Sequence, residues 1–179
     1  MRIDDPYTAA AANFRPEKTT VLFVAEAPPD AVERYFYFEN VKHGDWLWLA
    51  LMKALYPLDW SHTQVERVRK KDWLQKFQKS QFRLIDAVKM PISGGHRERV
   101  RLIRSAAKAL TEEIKQIAPQ QVVLIKATVH EALFQELKDA GLPVVNRHSL
   151  PFPSFGRQAE FHDAFQRLVD TDELRLRSV

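Results

Sequence analysis

Two acidic residues follow apolar runs of the kind that form buried strands. Glu26 comes after Val21-Leu22-Phe23-Val24-Ala25 and before Ala-Pro-Pro-Asp, and Asp86 lies near the end of the run 82–88. A carboxylate at the carboxyl end of a parallel strand lies where open α/β sheets bind their ligands, and it can orient water or accept hydrogen bonds there. Both residues are therefore candidates for ligand contact, although a structural role in two turns also explains them.

A dense aromatic segment follows the first of these runs. Tyr35, Phe36, Tyr37 and Phe38 are consecutive, which is unusual so close to the end of a strand. One of the rings could stack on a flat ligand, as aromatic side chains do on nucleobases. Burial in the core is the alternative for each of them.

Basic residues are concentrated in two stretches of the chain, and the first is interleaved with Trp73 and Phe77. Basic residues mixed with aromatic ones suit a phosphate backbone with bases available for stacking. A solvated helix face is the alternative interpretation. The first stretch contains Arg67, Arg69, Lys70, Lys71, Lys76 and Lys79, and the second contains Arg97, Arg99, Arg101 and Arg104.

The composition excludes several classes of protein. The chain has 179 residues, a formal net charge of +4 and no cysteine, so it forms no disulfide, thiolate zinc site or cysteine-ligated iron–sulfur cluster. No apolar run approaches the roughly 20 residues that span a bilayer, and residues 1–6 lack the apolar core of a signal peptide. We expect a cytoplasmic protein with no membrane association.

Sequence motifs for phosphate-binding loops and serine hydrolases are absent, namely GxxxxGK[ST], GxGxxG and GxSxG. The six histidines show no HExxH motif or other close ligand spacing. We therefore expect no cofactor and no bound metal.

Strand-like and helix-like segments alternate along the chain. Strands are predicted at 20–25, 82–88, 121–125 and 143–145, with helices between them, including single helices over 63–79 and 97–117. This order predicts a three-layer α/β/α sandwich around a mostly parallel, four-stranded sheet. Residues 1–18 are interpreted as an N-terminal arm and residues 19–179 as one domain.

Several segments, taken in order, resemble the uracil-DNA glycosylase superfamily. Residues 22–28 (LFVAEAP) resemble the Gly-Glu-Ala-Pro-Gly motif of its iron–sulfur branch, and residues 84–89 (LIDAVK) are similar to the strand that carries the base-recognising asparagine. Residues 44–55 and 110–133 correspond to the helices and strand expected there. Residues 146–149 (NRHS) fall where the family has its His-Pro-Ser loop.

The resemblance implies a role for each candidate residue in cleaving an N-glycosidic bond. Glu26 would orient water and offset the charge on the sugar, and His148 would donate to the departing base. Asp86 would recognise the base, on which one of Phe36, Tyr37 and Phe38 would stack. We expect Glu26, Asp86 and His148 to converge on one cleft, lined by at least one side chain from the aromatic segment 35–38.

The sequence also departs from the family pattern. Ala25 and Pro29 replace the two glycines of the first motif, Ser149 replaces a proline, and the cluster cysteines are absent. Position 86 is aspartate, and an ionised aspartate can only accept hydrogen bonds, whereas asparagine also donates to a base carbonyl. We therefore expect weak or absent excision of uracil at neutral pH, unless an apolar pocket keeps Asp86 protonated.

Two functions compete at this point. One is a DNA glycosylase that hydrolyses the bond to a flipped uracil or another deaminated or damaged base, and the other is a non-catalytic nucleic-acid-binding module of the same fold. A domain that acts on a small nucleoside or nucleotide is a third possibility. In the first two cases the partner is DNA, and the residues expected to bind it are Arg67, Arg69, Lys70, Lys71 and Arg147.

Overall fold

A small parallel sheet forms the centre of the protein. The structure is a computed structural model that describes residues 5–41, 43–154 and 156–176. In these ranges, three strands have the spatial order β2-β1-β3: β1 (Val21–Ala25), β2 (Phe82–Asp86) and β3 (Gln121–Leu124). All pairs are parallel, with Val21 opposite both Phe82 and Gln121. The carboxyl ends of all three strands therefore lie at one edge of the sheet.

Helices occupy most of the remaining chain, and the aromatic segment begins at a 3₁₀ turn over Val32–Arg34. The helices are α1 (Pro6–Ala12), α2 (Trp46–Leu55), α3 (Thr63–Val68), α4 (Lys70–Lys79), α5 (His96–Ile117), α6 (Ala127–Asp139) and α7 (Gln158–Asp170).

The sheet separates two hydrophobic cores. Successive side chains of β1 alternate between them: Val21 and Phe23 pack with α2, α4 and α7, whereas Leu22 and Val24 pack with α5 and α6. Every residue of β1 is buried, as expected for a central parallel strand covered on both faces. The architecture is mixed α/β with helices on both sides of a parallel sheet.

The predicted fourth strand is reduced to single bridges, so the prediction of a four-stranded sheet is not confirmed. Val144 pairs with Val122 and Leu150 pairs with Ile125, but no ladder continues between them. The buried Asn146 side chain takes its place, because its Oδ1 accepts from Leu124 N at 2.9 Å and its Nδ2 donates to Leu124 O at 3.0 Å. A side-chain amide thus satisfies the edge of β3.

One predicted helix and the N-terminal arm also differ from the expectations. The helix predicted over 63–79 is divided at Arg69, whose backbone (φ −98°, ψ 19°) leaves the helical region between α3 and α4. The described part of the N-terminal arm packs into the larger core through Tyr7 and Phe14. The Tyr7 hydroxyl also donates to Pro29 O at 2.7 Å, so this segment contacts the turn after β1.

Within the described ranges, none of the helices combines the length and apolar character needed to cross a membrane.

Candidate functional site

A cleft of about 430 Å³ opens at the carboxyl ends of the three strands. Glu26 directly follows β1, Asp86 ends β2 and Lys126 lies between β3 and α6, and all three line the cleft. Arg99 from the second turn of α5 joins them. Because the strands are parallel, residues distant in sequence meet at this edge of the sheet.

Both carboxylate oxygens of Glu26 are occupied. Lys126 Nζ lies 2.6 Å from Oε1, Arg99 Nη1 also donates to Oε1, and the Thr128 hydroxyl donates to Oε2. Burial of Glu26 opposes its ionisation, but the hydrogen bonds from Lys126, Thr128 and Arg99 outweigh this effect and lower its pKa below the ordinary value. Glu26 is therefore an ionised carboxylate that accepts three hydrogen bonds.

Lys126 has an unusual backbone conformation. Its φ of 86° and ψ of 142° lie in a region that is favourable only for glycine. The residue forms the N-cap of α6 without a side-chain capping bond, and its ammonium group lies 5.5 Å from the centre of the Phe152 ring. Backbone strain at a cleft residue is typical of functional sites.

Asp86 is a buried acid with a strongly raised pKa. Its burial raises the pKa to about 7, and the nearby Lys89 and a hydrogen bond with Tyr35 only partly oppose this shift. Its main-chain oxygen accepts from Lys89 Nζ at 2.9 Å. At neutral pH the carboxyl group is therefore present in both protonated and ionised forms, which enables it to donate or accept.

Aromatic residues form much of the remaining lining of the cleft, here called the aromatic wall. As expected for the aromatic segment, Tyr35 and Phe36 line the cavity, and Trp46, Trp48 and Phe152 complete the wall. Trp48 is completely buried, and its indole N–H finds no acceptor in the described part of the chain. The wall is suited to a flat, partly apolar ligand.

Three charged residues next to this wall form a buried cluster, and one of them, Asp45, also lines the cleft. Arg67 donates from Nε and Nη2 to Asp45 Oδ1 at 3.0 and 2.8 Å, and Lys70 Nζ lies 3.5 Å from Asp45 Oδ2. The Lys70 ammonium also donates to Tyr35 O at 3.4 Å and lies 4.9 Å from the centre of the Trp48 ring. The cluster therefore connects α4 to the aromatic segment and to the start of α2.

These contacts correct part of the predicted nucleic-acid surface. The side chain of Lys70 is 0% exposed and that of Arg67 is 10% exposed. Burial of Lys70 lowers its pKa to about 8, despite the attraction of Asp45. The expectation that Lys70 contacts DNA phosphates is wrong, because the ammonium group is enclosed, and Arg67 is largely committed to Asp45.

The other predicted DNA-binding residues are accessible. The side chains of Arg69 and Lys71 are 58% and 60% exposed, with long ion pairs to Glu66 and Asp72 and to Glu39, respectively. Arg147 is also exposed. Contact of these three residues with DNA stays a prediction.

His148 does not join Glu26 and Asp86. Its side chain is exposed, and it is not among the residues that line the cleft. Its main chain is held by Asn146, whose Nδ2 donates to His148 O at 3.0 Å. Of the three residues expected to converge, the structure brings Glu26 and Asp86 together and leaves His148 outside.

Tyr37 and Phe38 also lie outside the cleft lining. The buried Tyr37 hydroxyl donates to Leu84 O at 3.0 Å and accepts from Leu84 N at 2.8 Å, so it satisfies the free edge of β2. Phe38 is half-buried and packs against Tyr35 with the ring centres 6.1 Å apart. Phe36 is therefore the member of the predicted stacking set that reaches the cavity.

Three cleft residues were missed as site residues by sequence reasoning. Arg99 appeared only as one arginine in a basic stretch, and Lys126 and Asp45 lacked a recognisable motif. The position of Lys126 between a predicted strand and a predicted helix was the signal that could have identified it as a site residue. The ion pairs formed by all three depend on tertiary contacts.

In the ranges that the structure describes, no group of three or more histidine, aspartate or glutamate residues could hold a metal ion. No family model and no curated protein matches the chain.

Proposed function

We propose that the cleft binds a nucleobase flipped out of DNA, and that the protein is a DNA glycosylase acting on a deaminated or otherwise damaged base. The observation that carries this proposal is the position of Asp86, a buried acid with a pKa of about 7, in one cleft with the aromatic wall and the ionised Glu26. Flipping costs a few kcal/mol, which stacking and hydrogen bonding in such a pocket can offset.

Asp86 is the residue that would read the base. When protonated, its carboxyl group can donate to a base carbonyl and accept from a ring N–H, as an asparagine amide does. When ionised, it can only accept, and it would then favour a base that presents an amino group or an additional ring N–H. Phe36 and Tyr35 would contact the face of the base.

Glu26, with Arg99 and Lys126 bound to it, would take part in the reaction at the sugar. Water attacks the anomeric carbon, the bond to the base nitrogen breaks, the base leaves with the bonding electron pair, and the proton that the water releases neutralises the departing base. Glu26 would orient this water and stabilise the positive charge that develops on the sugar. Glu26 Oε2 accepts one hydrogen bond, from Thr128, and can accept another from this water, while a substrate phosphate offers a partner to Arg99 or Lys126.

Excision from oligonucleotides with single lesions tests the proposal. We expect wild-type excision of uracil, detected as strand cleavage after alkali, to fall as the pH rises through about 7 because Asp86 ionises. Asp86→Asn should excise uracil better than wild type at pH 8, by roughly fivefold or more, since an unpaired buried acceptor costs about 1–3 kcal/mol.

Glu98→Gln is the matched control for these measurements, because Glu98 is an exposed acid on α5 that pairs with Arg101. It should behave as wild type, whereas Glu26→Gln should lose excision of every lesion tested. Strong wild-type excision of uracil at pH 8 that Asp86→Asn reduces would contradict the assignment of Asp86.

A non-catalytic nucleic-acid-binding module is the second candidate, and one observation favours it. Arg99, Lys126 and Thr128 already use three of the roughly four acceptor positions of the Glu26 carboxylate, which leaves little room for water. This alternative expects an oligonucleotide with a damaged base to bind more tightly than its undamaged counterpart, while no alkali-labile site forms on any substrate.

A further inference from the structure

A second, smaller cavity lies at the outer edge of β2. It has a volume of about 110 Å³, and Arg15 and Arg83 both line it. Asp86 and Tyr35 line this cavity as well as the cleft, so the two spaces lie on either side of these residues. Nothing in the proposed excision reaction uses the smaller cavity.

The two arginines in this cavity are cations without anionic partners. Arg83 is half-buried and Arg15 is exposed, and neither guanidinium forms a hydrogen bond or ion pair with another residue in the described ranges. Burial of Arg83 and the nearby positive charge of Arg15 lower the Arg83 pKa, and the nearby Tyr37 and Glu113 only partly oppose this shift. Partly burying a charge beside a like charge is unfavourable unless a counter-charge binds.

The carboxyl groups in the same cavity are already engaged. Asp5 accepts from the Tyr7 and Thr8 main chain at the start of α1, and Glu113 forms an ion pair with Lys89 at 2.7 Å. Asp86 is partly protonated at neutral pH because its burial raises its pKa to about 7. None of these groups neutralises the arginines through a direct contact.

We propose that Arg15 and Arg83 form a binding site for a phosphate group. The planar guanidinium fork matches two phosphate oxygens, and paired arginines are the usual means of holding such an anion. The Thr8 hydroxyl and the Lys89 ammonium also line this cavity, but they are bound to Asp5 and to Glu113 and Asp86 O, so the two arginines carry the site. This site does not depend on the proposed excision activity, because it requires neither Glu26 nor the aromatic wall.

Titration with inorganic phosphate at constant ionic strength tests the site. The unfolding temperature of wild type should be higher in phosphate than in a chloride buffer of the same ionic strength. The reason is that a ligand that binds only the folded state stabilises it. Arg83→Gln should weaken phosphate affinity at least tenfold. Arg101→Gln, which removes an exposed arginine paired with Glu98, should leave the affinity unchanged.

The unliganded proteins show whether the variants remain folded. In low-salt buffer without phosphate, Arg83→Gln should unfold at the same temperature as wild type or higher, because the repulsion from Arg15 is removed. Arg15→Gln, a change at an exposed side chain, provides an independent variant and should also lose phosphate binding. Equal phosphate shifts in wild type, Arg15→Gln and Arg83→Gln, or no shift beyond that in chloride, would overturn the proposal.

An undamaged single-stranded oligonucleotide then distinguishes the source of the phosphate. If the site holds the DNA backbone, Arg83→Gln should weaken oligonucleotide binding. It should also reduce the slope of log affinity against log salt by about one, because one fewer counterion is released. If it holds a small phosphorylated molecule, oligonucleotide affinity should stay unchanged while phosphate binding is lost. Both outcomes support the site and assign its ligand.

Discussion

At the scale of single residues, the environment of Asp86 determines which ligand chemistry the cleft offers. A carboxyl group enclosed by protein ionises at higher pH than one in water, and the Tyr35 hydroxyl and Lys89 offset only part of that cost. Glu26 is also buried, but hydrogen bonds from two cations and a hydroxyl keep it ionised. Two acids in one cavity are thus kept in different protonation states, as in sites that separate acid and base roles.

The raised pKa of Asp86 predicts how stability depends on pH. The folded protein binds a proton up to about pH 7, whereas an unfolded aspartate releases it near 3.8. The contribution of Asp86 is therefore most favourable below pH 4 and is lost as the pH rises through 7. Asp86→Asn should remove this dependence and raise the free energy of unfolding at pH 8 by up to about 4 kcal/mol.

Urea unfolding of both proteins between pH 5 and pH 8 provides the measurement. Glu98→Gln, an exposed acid on α5, is again the control and should leave the profile unchanged. A wild-type profile that runs parallel to that of Asp86→Asn would show that Asp86 titrates normally in the folded protein.

At the scale of elements, the connection between β3 and α6 builds the cleft at the expense of local strain. Lys126 adopts a glycine-like backbone conformation and thereby lies beside Glu26, while Thr128 in the first turn of α6 binds the other carboxylate oxygen. A threonine at the start of a helix is a common capping residue, but the Thr128 hydroxyl donates to Glu26 instead. A hydrogen bond to a cleft residue thus takes the place of a helix cap here.

Substitutions at Lys126 can separate backbone strain from the loss of charge. Both Lys126→Gly and Lys126→Ala remove the ammonium group, but only glycine accommodates a φ of 86° without strain. The glycine variant should therefore be more stable than the alanine variant by about 1–3 kcal/mol in denaturant unfolding.

Lys138, an exposed residue in the last turn of α6, supplies the control. There the order should reverse, with alanine more stable than glycine by about 1 kcal/mol, because glycine is unfavourable in a helix. The same order at both positions would show that Lys126 is unstrained in solution.

At the scale of the whole molecule, periodicity predicted most elements but not the contacts between them. Apolar runs located β1, β2 and β3, and α2 lies within the expected segment 44–55, because buried segments carry their pattern in the sequence. The position of Glu26 and Asp86 in one cleft was predictable, because both follow parallel strands whose carboxyl ends lie at the same edge of the sheet. The replacement of a fourth strand by Asn146 was not predictable, since one side chain with two main-chain bonds leaves no periodic signal.

Charge was the least predictable property, as the adjacent Lys70 and Lys71 illustrate. The sequence assigned both to one basic stretch, yet Lys70 is enclosed by Asp45, Trp48 and Tyr35 while Lys71 is exposed. A charged residue becomes buried when a tertiary partner is available, and the partner Asp45 lies 25 residues away.

The salt dependence of DNA binding tests this division between neighbours. If DNA is the partner, affinity should fall steeply with salt, because each phosphate contact releases counterions. Lys71→Gln should weaken binding and make the slope of log affinity against log salt shallower by up to about one.

Lys70→Met should leave the slope unchanged, because the enclosed ammonium of Lys70 releases no counterion, while Asp45 keeps its contact with Arg67. A slope reduced equally in both variants would show that Lys70 reaches DNA, and absence of binding at low salt would exclude DNA as the partner.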